Sequence, residues 1–405
     1  MSSELASKKI ALVHDWLLGV GGQEKVLKAL AEMFPEAPIY VLLHNHRFTA
    51  DFLPRAEIRT SFLQRPFEIL GSHKLLIPFL PLAVESLDLS GFDVVISSAP
   101  FSKGLVLRPN VLHIHCCTSP TRQAWDWQAE YRRESSKAPK SWLALFQHGL
   151  RLWDYHAASR VDHYIAYSET IRERIQKYYH RDAIVIYPPV SVRESLSPKT
   201  YNPKPKTYFL IVSRLYRHKN VHLAVKAFSK LEWPLVVIGD GPELNRLRRL
   251  ANQSADIASS SADIVFLGYQ PDRVVSEYYA NCLAFVMPQE EDFGMTPIEA
   301  MSYGKPVLAL KRGGALEYIQ EGINGEFFED PTEEMLADGA RRLKENLPNY
   351  DPEVIKRTAM RFSTERFRET FKNFIATLIQ ADSNPPRQPL PPYAISQSTN
   401  RSLTI

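Results

Sequence analysis

Short apolar runs alternate with amphipathic stretches along most of the chain, and no other feature restricts the fold so strongly. Runs of four or five residues stand at Ile10–His14, Ile39–Leu43, Val94–Ser97, Val111–His115, Tyr164–Tyr167 and Ile184–Tyr187. They return at Phe209–Val212, Leu235–Ile238, Ile264–Leu267, Ala284–Met287 and Val307–Leu310. Continuous apolar runs of this length suit strands covered on both faces, and helical stretches between them suit crossovers. The expected class is α/β, with parallel sheets wrapped by helices.

The series is interrupted once, at YPPVSVRESLSPKTYNPKPKTY, where Pro188, Pro189, Pro198, Pro203 and Pro205 remove backbone donors and disfavour helix and central strand alike. On one side KKIALVHDW leads into GGQEKVLKAL, and on the other TYFLIVSRL leads into NVHLAVKAF. Two Rossmann-like domains facing across a cleft follow, at 1–195 and 196–358, with a helix over 359–381 packing back on the first. A ligand of such a pair binds at the carboxyl ends of the strands. Residues 382–405, which include NPPRQPLPPY, are too poor in apolar side chains to offset the entropy of ordering and read as a disordered tail.

Composition narrows the function classes. Hydrophobic residues at 44% and charged residues at 23% are those of a globular chain. A net charge of +4 without a Lys/Arg run excludes a nucleic-acid arm and suits an anionic small molecule or membrane surface. Cys116, Cys117 and Cys282 make neither a disulfide framework nor a zinc-ligand spacing, which fits a reducing compartment. No leader-like apolar stretch precedes the first strand, and no window reaches the roughly 18 apolar residues of a spanning helix. A cytoplasmic location is expected.

The strongest chemical signal is PQEEDFGMTPIEAMSYGKPV, where Glu291 and Glu299 bracket a loop-to-helix transition. Thr296 is placed to cap that helix, Pro297 to begin it and Gly304 to end it. The N–H groups of Phe293, Gly294, Met295 and Thr296 would then form an anion site suited to a diphosphate. Thr296-x-x-Glu299 is equally a capping box, which would leave Glu299 with a purely local role. Arg214 and Lys219, in LIVSRLYRHKNVHLAVKAF, lie between a strand end and a helix expected to be capped by Asn220, and supply cations where no metal cage is evident. Gly21 and Gly22 let the backbone approach a ligand or simply turn, and the dinucleotide spacing G-x-G-x-x-G is absent. His113 and His115 share one strand face, where imidazole can meet a ligand or serve as a structural group.

Taken together, SRLYRHKN, GDGPEL, VFLGY and EEDFGMTPIEAMSYGKPV resemble, in order and spacing, the retaining glycosyltransferases of family 4, the glycosyl transferases group 1 set. HDWLLGVGGQEKV, PTRQAWD and SETIRERIQKYYHRDAIVIYPPV resemble its mannosyltransferase-like members. The resemblance implies the GT-B arrangement of two Rossmann-like domains and transfer of a hexose from a nucleotide sugar, with no cofactor or metal required. Arg214 and Lys219 would hold the diphosphate, Glu291 would contact hydroxyls of the transferred sugar and Glu299 those of the ribose. Gly268, Tyr269 and Gln270 would lie near the base. His115 would supply an imidazole in place of the histidine usual in the family, whose position carries Thr118. Arg122, Trp125 and Asp126 would lie on the acceptor side, and Asp15 would make either an acceptor or a structural contact.

Similarity favours GDP-mannose as donor, with UDP-linked hexoses open, and a glycan or lipid-linked acceptor. A sugar-nucleotide epimerase and a noncatalytic nucleotide-sugar-binding subunit are the alternatives. SWLALFQHGLRLWDYHAA places Trp142, Leu145, Phe146, Leu150 and Trp153 near one helical side, below Arg132, Arg133, Lys137 and Lys140. Such a helix either packs on the first domain or lies peripherally on a membrane.

Overall fold

The computed structural model describes residues 7–128, 140–191, 208–257 and 263–382. Seven strands form the first sheet: β1 (Ile10–Leu17), β2 (Ile39–His44), β3 (Ile58–Thr60), β4 (Val94–Ser98), β5 (Leu112–Cys117), β6 (His163–Ala166) and β7 (Ala183–Val185). All pair in parallel, in the order β3-β2-β1-β4-β5-β6-β7. The second sheet holds β8 (Phe209–Val212), β9 (Leu235–Ile238), β10 (Ile264–Gly268), β11 (Ala284–Met287), β12 (Val307–Leu310) and β13 (Gly325–Phe328), parallel in the order β10-β9-β8-β11-β12-β13. Both orders reverse beside their first strand, and an open parallel sheet binds ligands at that switch point.

The helices of the first domain are α1 (Gly22–Met33), α2 (His46–Phe52), α3 (Gln64–Leu70), α4 (Leu80–Glu85), α5 (Lys140–Ala158) and α6 (Glu169–Tyr179). Those of the second are α7 (Val221–Leu231), α8 (Leu244–Ile257), α9 (Asp272–Asn281), α10 (Met295–Ser302), α11 (Glu333–Glu345) and α12 (Pro352–Met360). Alternation along β1 sends Ile10 and Leu12 into one core and Ala11 and Val13 into the core on the opposite face. Val190 N–H donates to Phe362 O at 2.9 Å, where the chain leaves the second domain. A final helix, α13 (Thr364–Asp382), then buries Phe367, Phe371, Ile375 and Ile379 in the first domain's core beside Leu12 and Ile114.

Several elements differ from the sequence reading. β1 runs past His14 to Leu17 because the charge at Asp15 is satisfied inside the protein, by the N–H groups of Phe101 (2.9 Å) and Ser102 (2.7 Å). β3, a polar strand at the sheet edge, shows no apolar run. β13 begins with Gly325 and Glu326; a Cβ at Gly325 would lie 2.2 Å from Val307 O, and Glu326 is bonded by Tyr350 OH at 2.8 Å. Asn220 stands at the start of α7 in a left-handed conformation (φ 51°) and makes no side-chain cap.

α5 divides the five residues read as one side. Leu150 is buried, Phe146 and Trp153 pack on the core, and Trp142 and Leu145 are exposed. Arg132, Arg133 and Lys137 lie outside the described residues, as do Pro198, Pro203, Pro205 and the tail beyond Asp382. Among the described residues no helix is long and apolar enough to cross a membrane.

Candidate active site

The loop after β8 owes its shape to the glycines of GDGPEL. A Cβ at Gly239 would stand 1.8 Å from Ser213 O, and one at Gly241 2.5 Å from Leu215 O, so only glycine lets the two loops meet. Leu215 N–H donates to Asp240 O at 2.8 Å, fixing the contact. Arg214 is thereby left exposed, its guanidinium 5.9 Å over the Tyr216 ring and without a carboxylate partner among the described residues. Lys219 turns inward and places Nζ 2.5 Å from Glu291 Oε1.

The loop between β11 and α10 is braced from behind by Gly313 and Gly314. Glu291 bridges Gly313, and Gly314 N–H donates to Glu291 O at 2.9 Å. Gly294 takes φ 86° with Tyr318 OH only 2.8 Å from where a Cβ would sit, and it is Gly294 that precedes the helix. α10 starts at Met295, so Thr296 lies within the first turn and does not cap it, and Pro297 follows rather than begins. Gly304 ends the helix at φ 72°. The first-turn N–H groups have no intrahelical acceptor and open toward the loop that carries Glu291.

The capping-box reading of Glu299 is set aside by the same geometry. Its Oε1 accepts from Lys25 Nζ of the first domain at 2.9 Å and its Oε2 from Tyr279 OH at 3.0 Å. Burial draws the Lys25 ammonium down, but the Glu299 carboxylate outweighs it and holds the pKa above the ordinary lysine range. Glu291 is half-buried and ionised: burial pushes its carboxyl up, and Lys219 and Gln289 more than offset this, leaving it below the usual carboxylate range. Both of its bonds, from Lys219 and from Gln289 Nε2 at 2.8 Å, fall on Oε1. Gly268 (φ 69°) closes β10 and leaves Tyr269 69% exposed, while Gln270 Nε2 donates to Leu267 O at 2.7 Å.

The first domain reaches the same place. A Cβ at Gly22 would lie 3.2 Å from Met295 Sδ, so the Gly21–Gly22 loop faces the start of α10. Gln23 Nε2 donates to Thr118 Oγ1 at 2.8 Å. Arg122 approaches Asp126 and Asp292, each at 3.6 Å, and its guanidinium lies 4.2 Å over the Trp127 ring. Trp127 in turn meets His218 of the second domain, ring centres 4.1 Å apart. Arg174 pairs with Asp292 and with Glu290 (3.2 Å), and Ser168 Oγ donates to Asp292 O at 2.6 Å.

Two expected site residues, His115 and Asp15, are not brought to the cleft, and a third, Trp125, is anchored to the core on one side. His115 is 1% exposed and bonds Ser97 Oγ at 2.8 Å, the hydroxyl that also meets His113. Burial holds it far below the ordinary histidine range, and β5 continues two residues beyond it, which encloses the ring in the sheet. Asp15 is spent on backbone N–H groups, and Trp125 donates to buried Asp154 at 2.8 Å and stacks on Tyr178. Residues the sequence reading passed over are Lys25, Arg174, His218, Gln289 and the Gly313–Gly314 pair. Gln289 and His218 lie inside the motifs that follow β11 and β8, and the glycine pair lies just past β12, so these carried a local signal.

Two parallel-sheet domains whose loops meet across a cleft define the GT-B class. Within that class the chain belongs to the family 4 glycosyltransferases: residues 20–194 match Glycosyltransferase Family 4 and residues 192–360 match Glycosyl transferases group 1. The chain is 28% identical over 230 residues to the lipopolysaccharide 1,6-galactosyltransferase of Salmonella typhimurium, covering 54% of this chain and 63% of that one. It is 25% identical over 240 residues to the human alpha-1,3/1,6-mannosyltransferase ALG2, covering 51% and 56%. It thus spans less than two thirds of the length of these curated relatives. The Anabaena protein HepE, solved with UDP, superposes with a TM-score of 0.68 over 91% of this chain and 100% of that one, at 17% identity.

Proposed function

We propose that the chain transfers a hexose, mannose from GDP-mannose, to a glycan or lipid-linked acceptor with retention of anomeric configuration. The observation that carries this is the Lys219–Glu291 pair beside the start of α10, with Glu299 on that helix and Arg214 without a carboxylate partner among the described residues. Arg214 and Lys219 take the donor diphosphate and stabilise the charge that grows on it as the sugar departs. Glu291, ionised and with Oε2 free of either bond, accepts from hydroxyls of the transferred sugar and has no proton to give. Glu299 takes the ribose hydroxyls once Lys25 yields, and Tyr269 lies beside the base. The acceptor hydroxyl attacks from the leaving-group face, so no protein nucleophile is needed.

Mannose is supported by the similarity to ALG2, and UDP-hexoses are its competitors because the Salmonella relative is a galactosyltransferase and HepE was solved with UDP. Arg122 and Asp126, at the rim of the first domain, face the acceptor. Trp142 and Leu145 on α5 give a peripheral contact with the membrane that carries a lipid-linked acceptor.

The test is a thermal-shift and nucleotide-release panel of GDP-mannose, UDP-glucose and UDP-N-acetylglucosamine, with and without chelator. GDP-mannose should stabilise the protein in chelator and release GDP in the presence of acceptor. Lys219→Ala removes a charge-assisted hydrogen bond of about 1.5 to 3 kcal/mol, so transfer should fall about ten- to a hundredfold. Release of GDP by Lys219→Ala at the wild-type rate would remove the site.

A further inference from the structure

Two polar atoms beside Glu291, Gln289 Oε1 and His218 Nδ1, are buried and have no hydrogen-bond partner among the described residues. Gln289 is 4% exposed, and its orientation is settled by chemistry: its amide donates to the Glu291 carboxylate at 2.8 Å, so the group left over is the carbonyl oxygen. His218 precedes Lys219 and is held edge-on by Trp127 at 4.1 Å. Burial, helped by Lys219, outweighs Glu291 and pushes His218 down to about 3, so the ring is neutral at physiological pH and adds no charge to the Arg214–Lys219 set. An orphaned buried acceptor costs free energy unless a ligand or water satisfies it.

The Gln289 carbonyl selects the ligand group, and His218 is compatible with it. A diphosphate is fully ionised and offers only acceptors, so it cannot satisfy a carbonyl oxygen. A sugar hydroxyl is donor and acceptor together, and it satisfies the Gln289 carbonyl and either tautomer of the imidazole. We propose that Gln289 and His218 are contacts for the hydroxyls of the transferred hexose, and that they set which hexose the donor site accepts. This rests on the donor site assigned above, in which Glu291 faces the same sugar. Gln289 fixes Glu291 Oε1 and presents its own oxygen to the sugar, and His218 closes the opposite side under Trp127 of the first domain.

The experiment compares binding of a nucleoside diphosphate with binding of its sugar conjugate: GDP against GDP-mannose, and UDP against UDP-glucose. Gln289→Leu keeps the side-chain volume, and His218→Phe keeps the ring against Trp127; melting temperatures report whether each variant folds. Both variants should bind the bare diphosphate within about twofold of wild type and lose about tenfold or more toward the sugar conjugate that wild type prefers, since only the hydroxyl contacts are gone. The preference between the two sugar conjugates should narrow as well. Equal loss toward diphosphate and conjugate would overturn the proposal by making the role structural. Unchanged binding of both would overturn it by leaving the two atoms to water. Lys219→Ala separates the underlying reading: if it leaves diphosphate binding untouched, the donor site itself is misassigned.

Discussion

At the scale of single residues, the cleft and the core use the same side chains under opposite rules. Glu291 is kept ionised by Lys219, whereas Asp15, enclosed in the first sheet, is pushed from 3.8 up to about 6. Desolvation causes that rise, against the lowering from Phe101 N–H, His14, Lys103 and Ser102 N–H. A carboxyl whose folded pKa lies above its unfolded value favours folding when protonated. Its contribution is complete below the unfolded value and is lost as pH climbs through the folded one. At about 1.4 kcal/mol per pKa unit, wild type should lose roughly 3 kcal/mol relative to Asp15→Asn between pH about 4 and a pH above 6. Urea midpoints of the two proteins across that window measure it. Using the difference removes the opposing effect of His113, which burial lowers to about 4. Parallel curves would show that Asp15 titrates as an ordinary surface carboxyl.

At the scale of elements, legibility followed burial. β8, β9, β11 and β12 match their apolar runs residue for residue, because strands covered on both faces must be apolar throughout. β3 and β13 escaped because one is a polar edge and the other opens with a glycine and a buried, bonded glutamate. Of the candidate residues, Lys219 and Glu291, each in a motif that follows a strand end, are brought into contact by the fold. His115 was misjudged because β5 runs on to Cys117, which moves the first loop position to Thr118. Lys25 was illegible in principle, since its partner Glu299 lies 274 residues away. α13 is the longest-range element of all, and its attachment is testable. Phe371 is fully buried in the first domain's core, so Phe371→Ala should cost about 3 to 5 kcal/mol in chemical denaturation. Phe374, which only partly packs there and meets His163 edge-on at 6.3 Å, should cost less on the same change. Equal costs would mean that the helix does not seal that core.

At the scale of the whole molecule, the two domains are tied at places with different fates during a reaction. Beside β6 and α6, Glu317 of the second domain accepts from Glu169 N–H at 2.9 Å and Thr170 N–H at 3.2 Å, and Ser168 and Arg174 hold Asp292. None of these groups has a proposed contact with the donor, so they can persist through turnover as a pivot. The Lys25–Glu299 pair is different, because it occupies the carboxylate assigned to the ribose and must break when the donor arrives. On the proposed assignment Lys25 competes with the nucleotide for Glu299. Lys25→Met keeps the aliphatic stem and removes the competitor, and a partly exposed pair of this kind is worth about 0.2 to 1 kcal/mol. Free nucleoside diphosphate should then bind up to about fivefold more tightly to the variant than to wild type, as read by calorimetry at low salt. The advantage should shrink at high salt, which screens the pair in wild type and leaves nothing to screen in the variant. Scattering from the variant should also show a wider cleft, since the Lys25–Glu299 tie across the ribose site is gone. Weaker binding by Lys25→Met would reverse the assignment, making Lys25 a donor ligand supplied by the first domain rather than its competitor.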